Sequence, residues 1–217
     1  MKIKAAIFDM DGTLIDSLYF WDVFWEKMGT LYLGKSGFRP AEEDNRAVRT
    51  MQFSKAMDLI HEKYNIGESG EQLTQLGKDL TVEFYNQIEL KPGVLEFLEH
   101  LKSQNVPMCI ASATAPEELS VAIKHCGIGH YFKEVLSCAT LGIGKEKPDI
   151  FLKAAALLGA PVNETWVFED SYVAIKTATD AGMPTVAIFD ENNFCQDEMR
   201  AIATHYIAKG ETLKKLI

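Results

Sequence analysis

The chain has 217 residues, 47% of them hydrophobic and 24% charged, a balance that excludes disorder, a collagen and a disulfide scaffold. At about 150 residues per domain, the length allows one large domain or one domain carrying an insert. Lys and Arg number 22 against 31 Asp and Glu, a net charge of −9. Nucleic acid is therefore not an expected partner, and a small anionic substrate needs local cations to hold it.

The first predicted element is a strand over 3–8, apolar and β-prone, ending at the polar turn Asp9-Met10-Asp11-Gly12-Thr13. Its apolar stretch is too short for an export signal. The apolar run 154–162 is far below the ~20 residues of a membrane span. A cytoplasmic protein without membrane contact is expected, with Cys109, Cys126, Cys138 and Cys195 as reduced thiols, since no C-x-x-C pairing is present. From Ser17 to Glu89 no strand is predicted. Trp21, Phe24, Trp25 and Met28 recur at helical spacing, as do Met57, Ile60 and Tyr64, and Leu73, Leu76, Leu80 and Phe84. Gly34, Gly37, Pro40 and the stretch 67–70 separate them into about four helices.

After Pro92-Gly93 helices and strands alternate. Helices are predicted over 94–104, 116–125, 149–158 and 172–181, and strands over 107–111, 134–138, 166–168 and 185–188. Tyr206-Ile207 reads as one more short strand before a last helix. The expected class is α/β: a Rossmann-like parallel sheet core flanked by helices, with an inserted all-helical cap domain. The core takes 1–16 and 90–217, and the cap takes 17–89.

Ligands of open parallel sheets bind beyond the carboxyl ends of the strands. Those ends carry Asp9 and Asp11, Ser112 and Thr114, Lys145 and Lys147, and Glu169 and Asp170. Singly, each is an ordinary cap, turn former or solvated loop residue. Together they describe a cation and phosphate site: clustered carboxylates repel unless a cation sits among them, and hard oxygen ligands suit Mg²⁺ alongside substrate phosphate. One aspartate can then serve as nucleophile and a second as general acid and base. Gly142-Ile143-Gly144-Lys145 is no P-loop, because Ala139 stands at the upstream glycine and Glu146 at the Ser/Thr. The five histidines are scattered and suggest no transition-metal site.

Four segments are similar to a known set of motifs. Asp9-Met10-Asp11-Gly12-Thr13-Leu14-Ile15-Asp16-Ser17 resembles the first motif of the haloacid dehalogenase superfamily of hydrolases. Ile110-Ala111-Ser112 resembles the second. Gly144-Lys145 with Lys147-Pro148-Asp149 resembles the third. Val167-Phe168-Glu169-Asp170-Ser171, continuing to Ala181-Gly182-Met183, resembles the fourth. The helical insert looks like the type-one cap of the first subclass.

The resemblance implies Mg²⁺-dependent hydrolysis of small-molecule phosphomonoesters through an aspartyl-phosphate. Asp9 would be the nucleophile and Asp11 the acid and base. Asp9, Asp11 through its backbone carbonyl, Glu169 and Asp170 would hold Mg²⁺, and Ser112 and Lys145 would bind the phosphoryl oxygens. Glu146 replaces the usual proline after the motif-three lysine, which leaves Lys145 and Lys147 as alternatives; the count back from Pro148-Asp149 favours Lys145. The runner-up activity is a sugar-phosphate mutase of the β-phosphoglucomutase type, weakened by Trp21 where those enzymes carry histidine. A non-catalytic phosphate-binding module is the reading from another class. Substrate choice is expected in the cap, at Trp21 and Arg49. The expected partner is a small phosphorylated metabolite, and the expected state a monomer.

Overall fold

The computed structural model describes residues 2–49 and 51–217. The chain divides into two compact units, one of residues through Leu18 together with Gln87–Ile217 and one of Tyr19–Asn86.

In the first unit the described residues form a sheet of six parallel strands. These are β1 (Ala5–Phe8), β2 (Met108–Ser112), β3 (Glu134–Ser137), β4 (Thr165–Glu169), β5 (Thr185–Ile188) and β6 (His205–Ile207), in the order β3-β2-β1-β4-β5-β6. Among the described residues, five helices follow β1 in the chain before β2: α1 (Phe20–Leu33), α2 (Glu42–Val48), α3 (Phe53–Tyr64), α4 (Gly70–Tyr85) and α5 (Val94–Ser103). Then come α6 (Pro116–His125), α7 (Cys138–Leu141), α8 (Asp149–Leu158), α9 (Tyr172–Asp180) and α10 (Gln196–Ile202).

Both faces of the sheet are covered, so the central strands are mostly apolar, and β1 is buried at every residue. Alternation sorts its side chains. Ile7 joins Cys109, Ala111 and Val167 against Ile150, Phe151 and Ala154 of α8 and Ala174 of α9. On the other face Phe8 stacks on Phe168 at 4.4 Å between ring centroids and meets Phe97 of α5 edge-on at 6.3 Å. Each such ring contributes roughly 1.5–3 kcal/mol by burial. The strand order reverses between β1 and β4, and the crevice that opens at such a switch point lies above the carboxyl ends of these two strands.

The second unit is helical, with Phe24, Trp25, Met28, Met57, Ile60 and Leu73 at its centre. Ser69 starts α4 by accepting the Gln72 N–H at 3.1 Å, while the Gln72 side chain accepts the Glu68 N–H at 2.9 Å, a reciprocal cap one residue longer than the usual box. Asp44 of α2 is buried but satisfied by Tyr64 and Lys63 of α3. Trp25 is fully buried and donates its Nε1 hydrogen to Asn45, so it is a core residue of this unit.

Two expectations change. The helix expected after β6 is a single 3-10 turn, Leu213–Leu216, anchored by buried Leu213. The helices α7 and α10 were not expected: α7 spans four residues, less than one readable period, and α10 fully buries only Met199, so it has no apolar stripe.

Candidate active site

Asp9 follows β1 directly, and its N–H still donates to Phe168 O of β4 at 3.0 Å. The chain then turns back: Leu14 and Ile15 N–H both reach Met10 O, at 2.9 and 3.1 Å. Gly12 sits in this turn at φ +73°, and a Cβ there would lie 2.5 Å from Asp170 Oδ2. Left-handed backbone and close approach to a carboxylate each demand glycine.

Four of the expected side chains meet at the β1/β4 crevice. Lys145 Nζ lies 2.6 Å from Asp9 Oδ1 and 2.5 Å from Glu169 Oε1. Glu169 Oε2 accepts the N–H groups of Asp170 and Ser171 at 3.1 Å, holding the start of α9. Asp170 accepts from Thr13 Oγ1 at 3.0 Å and from Asn193 Nδ2 at 2.7 Å. Asp11 belongs to an adjoining network. Its oxygens accept the hydroxyls of Ser17 and Thr114, both at 2.6 Å. Ser112, buried at the end of β2, is tied in through Thr114 N–H, which reaches Ser112 Oγ at 3.1 Å. Lys147 is exposed, so Lys145 is the lysine that reaches Asp9.

Trp21 and Arg49 come together in the helical unit, with the guanidinium 6.0 Å from the indole centroid. Trp21 also packs on Trp25, Phe24 and Phe53. Thr13, Ser17, Lys91 and Asn193 also reach the groups of the site, beyond the residues expected there. Thr13 and Ser17 belong to the quoted motif and were within reach of it. Lys91 and Asn193 arrive by tertiary folding, with no local signal.

The electrostatics favour a cation. Among the described residues, carboxylate oxygens of Asp9, Glu169 and Asp170 lie within 4.8 Å of one another. Burial, with help from Glu169, Asp170 and Asp11, pushes Asp9 well above the usual carboxylate range, although Lys145 pulls the other way. Burial and Glu169 push Asp170 up to about 7. Burial works against the Lys145 ammonium, but Asp9 and Glu169 outweigh it and raise its pKa. Asp9 Oδ1 faces Lys145 yet accepts no hydrogen bond of ordinary geometry. Three crowded carboxylates, one with an under-satisfied oxygen, are the donor set a hard divalent cation requires. Glu169 and Asp170 each have both oxygens engaged within the protein, so the under-satisfied Asp9 is the carboxylate of the three with capacity left for a cation. The Asp11 carboxylate is engaged by the Ser17 and Thr114 hydroxyls.

A pH-dependent response to metal follows. Asp170 binds protons more tightly folded than unfolded, so without metal stability falls as pH rises from about 3.8 to about 7. A cation competes with those protons, so its stabilisation grows through the same window. Saturating Mg²⁺, at about 100 times Kd, is expected to give about 2.7 kcal/mol, or roughly 5–10 °C in Tm for this length, at pH 8 and close to nothing at pH 5. Thermal melts with and without Mg²⁺ check this, and a shift independent of pH would place the ion elsewhere.

Fold and site together define an α/β protein with an acidic, lysine-bearing crevice suited to a cation and an anionic group. A family model for haloacid dehalogenase-like hydrolases matches residues 3–182, and the chain belongs to that family. It is 30% identical over 201 residues to a Drosophila melanogaster protein described as "Probable pseudouridine-5'-phosphatase", covering 87% of this chain and 83% of that one. It is 26% identical over 186 residues to a phosphorylated carbohydrates phosphatase of Thermotoga maritima, covering 85% and 84%. The crystal structure of β-phosphoglucomutase from Clostridium difficile superposes with a TM-score of 0.74 at 21% identity, covering 99% and 95% of the two chains, which establishes the shared fold.

Proposed function

We propose that the chain is a Mg²⁺-dependent hydrolase of small phosphomonoesters that works through an aspartyl-phosphate on Asp9. The observation that carries this is Asp9 itself: a largely buried carboxylate at the switch point, facing Lys145, with an oxygen not committed to an ordinary hydrogen bond.

Asp9, Asp170, Glu169 and the Asp11 carbonyl would hold Mg²⁺, which would supply positive charge to the phosphoryl oxygens. Lys145 and Ser112 bind phosphoryl oxygens, and Lys145 offsets the repulsion between Asp9 and an anionic ester. An Asp9 oxygen attacks phosphorus, the ester P–O bond breaks, and Asp11 gives its proton to the leaving alkoxide. Asp11 then takes a proton from water, which attacks phosphorus. The bond to Asp9 breaks and inorganic phosphate leaves. Ser17 and Thr114 fix the Asp11 carboxylate for both proton transfers. A phosphorylated metabolite of the nucleoside or sugar class is the substrate supported by the names of the two phosphatase relatives.

The test is phosphate release from p-nitrophenyl phosphate and a panel of phosphorylated metabolites, with Mg²⁺ and with EDTA. Absence of Mg²⁺-dependent release across the panel would refute the reading, and turnover that needs a sugar bisphosphate activator would point to a mutase. Asp11→Asn provides a sharper check. Loss of general acid catalysis costs about 10²- to 10⁴-fold, so alkyl phosphates should lose that much and p-nitrophenyl phosphate, whose leaving group needs no proton, far less. Equal losses on both would make Asp11 a holder of the turn alone.

A further inference from the structure

Lys91 takes no part in this chemistry, yet its side chain is only 15% exposed. An ammonium carries three donors, and three oxygens face this one. Asp190 Oδ2 lies at 2.5 Å, Gly12 O at 2.7 Å and Phe189 O at 3.5 Å. Asp190 is itself buried, its Oδ1 accepts the Asn192 N–H at 2.9 Å, and its carbonyl accepts Gln196 Nε2 at 2.9 Å. A buried ion pair is weak evidence for stability, because desolvation cancels most of the attraction. Its geometry here points elsewhere.

Gly12 O is the carbonyl at the centre of the turn that carries Asp9 and Asp11. Gly12 also presents its bare Cα to Asp170, with no room for a methyl group between them. Displacing the Gly12 peptide therefore disturbs both aspartates of the turn and the carboxylate it faces. The main chain of the Lys91 segment grips the same turn. Lys91 N–H donates to Leu14 O at 2.9 Å, Asp16 N–H donates to Glu89 O at 3.1 Å, and Ile15 pairs with Leu90. The side chain adds a fixed point, at Gly12, that the backbone cannot reach.

We propose that Lys91, locked by Asp190, is a positioning residue that pins the Gly12 carbonyl and thereby sets Asp9 against Lys145 and Asp11 against Ser17 and Thr114. Its effect on turnover rests on the catalytic reading of Asp9 and Asp11, whereas its effect on the turn and on cation binding does not.

The experiment compares Lys91→Met, Lys91→Arg and the double variant Lys91→Met with Asp190→Leu. The double variant replaces the buried pair with apolar side chains, a change that is often neutral or stabilising, so it decides the matter even where Lys91→Met alone folds poorly. Three quantities are read: amide hydrogen exchange, Mg²⁺ binding by calorimetry, and kcat and KM for p-nitrophenyl phosphate. In the folded double variant, faster exchange should be confined to residues 9–15. Mg²⁺ affinity and kcat should each fall about 10- to 100-fold, with KM within about twofold. Lys91→Arg should recover part of the loss, because a guanidinium retains donors for both Gly12 O and Asp190. A folded double variant with wild-type protection of the turn and wild-type Mg²⁺ affinity overturns the proposal. So does faster exchange spread evenly over β1, β2 and β4, which marks a merely structural pair. Should the wild type hydrolyse no phosphate ester, the catalytic reading fails by itself, while exchange and Mg²⁺ binding still decide the role of Lys91.

Discussion

Asp9→Asn is expected to lower turnover by about a thousandfold or more, the scale on which removal of an attacking group acts, while the protein stays folded. The amide has the shape of the carboxylate but is too weak a nucleophile to form the acyl-phosphate. The effect on stability should run the other way. Asp9 is pushed up by burial and by three neighbouring carboxylates, so ionising it near neutral pH opposes folding. The substitution removes that repulsion and leaves Lys145 its second partner, Glu169, at 2.5 Å. Without metal the variant should melt at or above the wild-type temperature at pH 8. With Mg²⁺ it should gain less than the wild type, having lost one of the three clustered carboxylates. Initial rates on freshly purified variant, before the amide can hydrolyse, and melts with and without Mg²⁺ test both halves. Residual activity above about 1% would remove Asp9 from the nucleophile role.

Much of this molecule is legible in its sequence because its core elements obey one rule at a time. The central strands are fully buried on both faces and read as short apolar runs; 185–188 and β5 agree to the residue. The parallel arrangement follows from helices of 10 residues such as α6 and α8 between them. The family resemblance rests on four motifs in order, and the match over residues 3–182 bears it out. Illegible are the parts decided by side chains distant in sequence. Asn193 meets Asp170 only because the loop after β5 folds back, and Lys91 reaches Gly12 across 79 positions. Short elements are lost for a different reason: α7 has too few residues to show a period. Trp25 follows its helical spacing: full burial and a hydrogen bond to Asn45 make it part of the packing of its unit.

Lys145→Met should separate the two lysines that motif spacing alone leaves as alternatives. Lys145 is 11% exposed and bridges Asp9 and Glu169, whereas Lys147 is exposed. Removing the ammonium leaves the two carboxylates without their shared cation, and breaking a buried pair from one side costs about 3–5 kcal/mol. That cost depends on pH with a definite sign. With Lys145 gone, Asp9 loses the cation that pulls its pKa down, so its folded value rises further above the unfolded one. The folded variant then holds protons that the unfolded chain has released, and its stability falls as pH rises through that window. Destabilisation relative to wild type should be smaller at pH 5 than at pH 8, because the raised Asp9 holds its proton more readily at the lower pH. Turnover should fall about 10²- to 10³-fold, as for loss of one preorganised electrostatic contact to the transition state. Lys147→Met is the matched control and should stay within about 0.5 kcal/mol of wild type, as exposed substitutions do, with rates unchanged. Denaturant melts at pH 5 and pH 8, together with initial rates for both variants, make the comparison. If Lys147→Met proved the more damaging at both pH values, the pairing of Lys145 with Asp9 would have no catalytic weight and the assignment of the phosphate-binding lysine would move to Lys147.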